Sequence, residues 1–536
     1  MPRVLLSMLL VTCAATLHAA TEYASAGEEW WSYVRILADD NMEGRNTGSK
    51  GYERAASFVA DEFAKSGLRP VGTKGFFQPM KFDVREIIED RSLLELVRDG
   101  QVERLSLSED ANLGLPEDMA EKLEAEAVFV GYGLVIPELG IDDLAGLQLK
   151  GKIAVFLAGG PKSVPAPLKA HYSAAKQRWA AFRKAGVVGE ASILNPKSSD
   201  IPWSRASLAR LQPKMHLAYA NLNDVPGLRL SLRLNPANAD KFLAGTGHTM
   251  AEVLALAADD KPLPRFGLAV KVRAKVAAKK SSVTSMNVAA VLPGSDPNLK
   301  REYVVLSAHL DHLGIQQPIN GDALYNGAMD NASGVACLLN NARSLAASSE
   351  HPKRSVLFLA VTGEEKGLQG SRYFASYPTV PKSAIVADIN VDMFLPLFPL
   401  KCVRVWGLDE STLGEQIRSV GAAMGLQVQR DPQPDRLIFI RSDQYNFIRQ
   451  GIPALMFAFG YEPDSPEDAM VKQWLKTRYH APSDDLDQPV DKAAAGQFTE
   501  LVLKLAERVA NDAQRPSWKP ESFFRRFAPS SGRSLE

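Results

Sequence analysis

The sequence predicts an α/β protein with a mainly parallel central sheet, covered on both faces and interrupted by a β-rich insert. Three observations carry that expectation. Apolar runs at Tyr303 to Leu306, Val356 to Val361, Ile385 to Val391, Val403 to Trp406 and Ala454 to Phe459 alternate with helix-like stretches, the order that builds a sheet with helices packed on it. Between Arg85 and Pro262 the texture changes to short β-like runs broken by frequent turns. The chain of 536 residues also exceeds what one ordinary core serves, so two compact units are expected.

Composition narrows the partners. Lys plus Arg and Asp plus Glu both total 62, so no net field favours nucleic acid or an anionic membrane surface. Arg3, an apolar run from Val4 to about Ala15 and the small residues Ala19 and Ala20 read as a signal peptide over 1–20, too short for a permanent membrane anchor. An exported chain, periplasmic or extracellular and without an integral membrane segment once mature, is expected. It would keep Cys337 and Cys402, read as small apolar side chains with one disulfide left open.

Residues 21–84 are the N-terminal part of the main domain. Trp30, Trp31, Val34 and Leu37 share one helical face, and Ala55, Phe58, Val59 and Phe63 share another that stops at Gly67. Phe76 to Val84 alternates like a half-buried strand. These elements cannot close a core alone and should pack on something later. The insert, 85–262, carries β-like runs at Ala127 to Gly133 and Gly151 to Leu157 and a helix around Tyr172 to Ala185. Gly159-Gly160-Pro161 lacks the Lys-Ser/Thr ending of a phosphate loop and reads as a turn. In the main domain, 263–515, strands at Arg265 to Ala278 and Met286 to Leu292 lead into the alternating pattern, and a last helix spans about Asp491 to Asn511. Residues 516–536, rich in Pro, Ser and Arg, read as a loosely held tail.

Five residues of metal-ligand type stand just past an apolar strand or in the loop beyond one: His309, Asp330, Glu365, Asp392 and His480. Each alone has a dull explanation. Their joint placement at one edge of one sheet, where ligands of open α/β sheets collect, points to a metal site. Mixed imidazole and carboxylate donors suit Zn²⁺, with Mn²⁺ or Co²⁺ admissible, over the all-oxygen shells of Ca²⁺ and Mg²⁺. Five donors are too many for a single catalytic zinc but fit two ions roughly 3.5–4 Å apart that share a carboxylate, an arrangement of hydrolases that act through metal-activated water. Glu364, next to Glu365, is the candidate base. Asp311, two residues past His309, is expected to orient that imidazole, and His312 reads as an outer or solvated neighbour rather than a ligand. Neither a Gly-x-Ser-x-Gly elbow nor a His-Glu-x-x-His helix occurs.

These residues sit in longer motifs: His309-x-Asp311, Asn326-Gly-Ala-x-Asp330-Asn-Ala-Ser-Gly, Thr362-Gly-Glu364-Glu365, Asn390-Val-Asp392-Met, Arg441-Ser-Asp443 and Tyr479-His480-x-Pro-Ser-Asp-Asp. Together they resemble the co-catalytic dizinc exopeptidase family that includes bacterial leucyl aminopeptidases, aminopeptidase Y, plasma glutamate carboxypeptidase and the transferrin receptor ectodomain. Asn41 to Lys65 is similar to that family's lead-in, and Val128 to Phe156 to its inserted protease-associated domain. The resemblance implies a three-layer α/β/α, phosphorylase/hydrolase-like sandwich and two zinc ions. His309 and Asp392 would hold one ion, Glu365 and His480 the other, with Asp330 bridging, Glu364 as general acid/base and a cis peptide between Asp330 and Asn331. Two departures stand out: Met329 where many relatives have a second acidic residue, and Gln444 where His is frequent. Altered substrate contacts or metal affinity are expected from them. The implied activity is release of N-terminal residues from short peptides. A carboxypeptidase or dipeptidase on the same scaffold and a metal-free receptor-like relative are the rivals.

Overall fold

The computed structural model describes residues 21–528 apart from 198 and 200; the expected signal peptide at 1–20 and residues 529–536 lie outside the described residues. The chain divides into two compact units. One comprises residues up to Met80, Thr284–Pro432 and Ser442 onward, and the other Lys81–Val283 with Gln433–Arg441. The sequence places an insert at 85–262, inside the second unit. The crossings fall within the long strands Phe77–Ile87 and Ala278–Leu292, where no turn residue marks them.

The sheet that serves the first unit contains strands β1 (Phe77–Ile87), β2 (Ala278–Leu292), β3 (Tyr303–His309), β4 (Ser355–Val361), β5 (Ile385–Asn390), β6 (Cys402–Trp406), β7 (Gln427–Arg430) and β8 (Ala454–Phe459), in the order β1-β2-β4-β3-β5-β8-β6-β7. The central four, β4-β3-β5-β8, are parallel. Antiparallel pairs flank them, β2 with β4 and β6 with β8. Every residue of β4, β5 and β8 is buried, so both faces are covered; that is why these strands read as unbroken apolar runs rather than alternating ones. Register then fixes the site edge. His309 stands opposite Val361 and Ser307 opposite Asn390, so β3, β4 and β5 end together and their following loops converge.

Helices complete the layers. Ser49 caps Lys50–Lys65 and Asp491 caps Lys492–Asn511, each side chain accepting a main-chain N–H three residues on. A helix covers residues 21–37, with Trp30, Val34 and Leu37 fully buried, and the Trp30 indole N–H donates to Ser333 O at 2.9 Å. The N-terminal segment thus closes its core against the helix Ser333–Ala347. The tail expectation needs correction: Phe524 is fully buried, and the indole N–H of the buried Trp518 donates to Gly451 O at 2.8 Å. Two aromatic anchors suffice to hold a stretch whose average composition is that of a loose one. Cys337 and Cys402 are both free thiols. Among the described residues no helix is long and apolar enough to cross a membrane.

The second unit is built on an eight-stranded sheet whose centre is parallel: Lys122–Phe129, Ile153–Leu157, Gly189–Ile193 and Leu230–Leu234. Alternate residues feed opposite faces. Phe129, Val155 and Leu157 join one apolar cluster, and Val128, Ala154 and Phe156 join another with Trp179 and Phe182. Where the sequence suggests one helix over Tyr172 to Ala185, two form, Ala166–Ser173 and Ala175–Lys184, separated by the extended residue Ala174.

Candidate metal centre

β3 delivers His309 as its last residue. The imidazole Nδ1 lies 3.0 Å from the main-chain oxygen of Asp311, so an N–H there donates to it and Nε2 is the atom that faces the site. That Nε2 is 3.2 Å from Asp392 Oδ1 and 3.3 Å from Asp330 Oδ1. On the other side of Asp330, Oδ2 lies 3.2 Å from His480 Nε2, which is 3.3 Å from Glu365 Oε2. The five predicted ligands therefore form two trios that share Asp330, one oxygen facing each.

Each is held by its neighbours. Asp330 sits in the turn 328–332 and is followed by a cis peptide to Asn331. Gly327, with φ of 63°, opens that turn, a conformation favoured by glycine. Asn331 in turn frames Asp392: its Nδ2 donates to Val391 O at 2.9 Å and its Oδ1 accepts from Met393 N at 3.3 Å. A Cβ on Gly334 would come within 2.4 Å of Asn331 Oδ1 and 2.5 Å of Val391 O, so only glycine fits beside this clamp. His480 is the half-buried member, with 26% of its side chain exposed, and marks the open side.

Asp311 departs from expectation. Its main-chain oxygen orients His309, whereas its carboxylate accepts from the N–H groups of Glu364 at 3.1 Å and Glu365 at 3.4 Å and from Thr47 Oγ1 at 3.0 Å. The chain turns off the strand after His309, which brings the carbonyl, not the side chain, back under the ring. Asp311 therefore tethers the Glu364-Glu365 loop of the neighbouring strand. His312 is fully buried rather than solvated. Met329 and Gln444 are also fully buried; Met329 N donates to Asp484 and Gln444 Oε1 accepts from Asn390 Nδ2 at 2.9 Å, so neither faces an open cleft.

Two residues with no ligand signature support the loops, and a third, Asp443, is buried among them. Asp484 takes the N–H groups of Met329 and Asp330 on its carboxylate at 2.9 and 3.0 Å. Arg45, fully buried, donates to the main-chain oxygens of Leu37, Leu310, Asn326 and Gly327; burial lowers its guanidinium to about 10 despite Asp484, Asp330 and Asp311 nearby. Asp443, the acid of the Arg-Ser-Asp motif, is fully buried, and burial raises it to about 7 against the pull of His309. The signals for Asp484 and Asp443 lie in the quoted motifs; Arg45 has only its place in the Asn41 to Lys65 lead-in.

The donor set fits zinc. Bonds of about 2.0–2.1 Å arranged tetrahedrally put ligand atoms roughly 3.3 Å apart, the spacing of the four imidazole–carboxylate pairs above. The protein's own charges agree. Burial and Glu365 push Asp330 up, but His312, His309 and His480 outweigh them and hold it below the usual carboxylate range. Glu365 is likewise held well below its usual range by His480 and His312 against burial. Glu364 goes the other way: burial drives it well up, and Asp392, Glu365 and Asp443 add to this against His309. Two adjacent glutamates are thus pushed apart, one toward ligation and one toward proton transfer.

Residues 287–506 match Peptidase family M28. Among curated proteins, a probable zinc metalloprotease of Pyricularia oryzae is 28% identical over 223 residues, 42% of this chain and 35% of the relative. Leupeptin-inactivating enzyme 1 of Streptomyces exfoliatus is 29% identical over 174 residues, 32% of this chain and 35% of the relative. The chain thus spans about a third of the length of these curated relatives. Among solved structures, an aminopeptidase from Aneurinibacillus sp. strain AM-1 superposes with a TM-score of 0.56 at 18% identity, covering 92% of this chain and 97% of that one, a likeness of fold.

Proposed function

Residues 287–506 match peptidase family M28, and on that premise we propose that the chain is a member of this family, an exported dizinc exopeptidase that releases N-terminal residues from short peptides. The observation that carries this reading is the shared Asp330, whose two oxygens face two separate imidazoles at 3.3 and 3.2 Å. His309, Asp392 and Asp330 would hold one zinc, and His480, Glu365 and Asp330 the other. The names of the similar proteins, zinc metalloprotease and aminopeptidase, support the reaction class. The Val4 to Ala15 run supports export.

A bound zinc pair would polarise the scissile carbonyl and render water nucleophilic at neutral pH. The chain supplies the rest. Glu364 takes the proton from the attacking water and returns it to the leaving nitrogen, so its carboxyl must cycle between both states. Asp311 holds Glu364 in place through its main-chain N–H, so base and ligand ride on one tethered loop. Arg45 and Asp484 fix the loop that carries Asp330.

The test is hydrolysis by the zinc-supplied mature chain of a free-amino peptide panel beside the same peptides N-acetylated. Cleavage confined to the free-amino set, tripeptides included, is the expected result. Cleavage of the acetylated set would move the assignment to a carboxypeptidase, and cleavage of dipeptides alone to a dipeptidase.

A further inference from the structure

His312 is a buried group that the reading above leaves unused. Its ring is fully buried, and Nδ1 lies 2.9 Å from Glu365 Oε1 and 3.8 Å from Asp330 Oδ2. Despite that proximity neither ring nitrogen makes a hydrogen bond, nor does Glu365 Oε1. Buried polar atoms are nearly always satisfied, and the facing atoms Nδ1 and Oε1, left open beside Asp330, are what a cation would close. His312 Nδ1, Asp330 and Glu365 could hold one ion among them by donor type and spacing.

The ring cannot easily turn away. A Cβ on Gly327 would meet His312 Cγ and Cδ2 at 2.5 Å, so the imidazole lies directly against that glycine, one turn from Asp330, while its main-chain N–H is held by Arg45 O at 3.2 Å. The rings of His312 and His480 stand 6.0 Å apart and 66° to one another. Glu365 therefore meets one imidazole with each oxygen, His312 at Oε1 and His480 at Oε2.

The geometry points to His312 as a sixth ligand, its Nδ1 binding the ion held by His480, Glu365 and Asp330. This rests on the dizinc reading. It makes the two sites unequal. The His309 site has three protein donors and keeps a place open for substrate or water. The His480 site has four, the closed pattern of zinc that is held rather than exchanged. The ion beside His312 is then the tightly bound one and loads first.

The experiment is zinc titration of the metal-free full chain against a competing chelator, for wild type and His312→Gln, together with a crystal structure of the zinc-loaded wild type. Expected are two zinc ions of unequal affinity in wild type, a loss of more than about 100-fold at the tighter site in the variant, beyond the upper end for residues that merely orient a ligand, and Nδ1 at about 2.0–2.1 Å from the metal. Unchanged affinities in His312→Gln, or Nδ1 more than about 3 Å from either ion, would overturn the assignment. If the variant does not fold, the distance in the wild type decides alone. A wild-type chain that takes up fewer than two zinc ions overturns instead the dizinc reading, and this inference with it.

Discussion

Asp484 reaches back 154 positions to accept the main-chain N–H of Asp330 on Oδ2 at 3.0 Å, while its Oδ1 accepts from Met329 at 2.9 Å. An acceptor that grips two successive N–H groups sets the direction in which the Asp330 side chain leaves the turn. Asp484→Asn replaces one of the two acceptor oxygens with a donor and must release one of them. Zinc affinity is expected to fall about 10–100-fold, as for other groups that orient a metal ligand. Chelator competition checks it, with circular dichroism as the control for folding; an unchanged affinity would remove Asp484 from the metal machinery.

Glu364 and Asp330 should separate cleanly on substitution. Glu364→Gln keeps the shape and the main-chain tether to Asp311 but cannot carry a proton, so metal content stays at the wild-type level while kcat drops by about 10²–10⁴. Asp330→Ala removes the oxygen donors facing both imidazoles, and both bound metal and activity should be lost. Metal analysis beside steady-state kinetics tests the pair. Normal turnover in Glu364→Gln would end its role as base, and two retained ions in Asp330→Ala would end the bridging assignment.

Much of this candidate site is legible in the sequence because several of its candidate ligands follow strands that announce themselves. β4, β5 and β8 are buried on both faces, so their apolar runs and the polar residues that stop them fix the positions of Glu365 and Asp392. His309 is readable for the same reason, as the last residue of β3, whereas Asp330 is readable from its motif at the opening of a helix. What stayed hidden depends on where side chains turn after the strand. That Asp311 offers its carbonyl to His309 and its carboxylate to a neighbouring loop is set by main-chain direction, which residue identity does not carry. From sequence His312 reads as an outer or solvated neighbour because a histidine in a polar loop is usually so; the ring lies against Gly327 and its main-chain N–H is held by Arg45 O, contacts distant in sequence. The hold on 516–528 is invisible to composition, which averages over the two aromatic residues that anchor it.

Arg45 predicts a stability defect that reaches the site. Its guanidinium serves four main-chain oxygens, two of them in the Asn326-Gly327 turn that leads to Asp330. Lysine has one compact ammonium and cannot span them. Arg45→Lys leaves at least one buried carbonyl unsatisfied, at about 1–3 kcal/mol each. Thermal unfolding should show a lowered midpoint both with and without zinc, and a shift only in the zinc-loaded protein would mean the residue acts on the metal alone.

Asp388, in the middle of β5, gives a pH-dependent prediction. Its side chain is fully buried, Oδ1 accepts from Ser307 Oγ at 2.8 Å and Oδ2 has no hydrogen bond. Burial, opposed by Ser307 and reinforced by Asp443, raises its carboxyl well above the ordinary value. The folded chain therefore holds this proton where the unfolded chain, with an aspartate pKa of about 3.9, releases it. Folding then takes up a proton, and this residue's contribution grows more unfavourable as pH rises from the unfolded value up to the folded one. Asp388→Asn keeps an oxygen for Ser307 and removes the titration. It should leave stability near pH 4 almost unchanged and raise it progressively over the wild type as pH climbs to 7–8, because the variant has no proton to lose. Unfolding midpoints for both proteins across pH 4–8 test this; a difference that does not widen with pH would show that Asp388 is ionised in the folded chain.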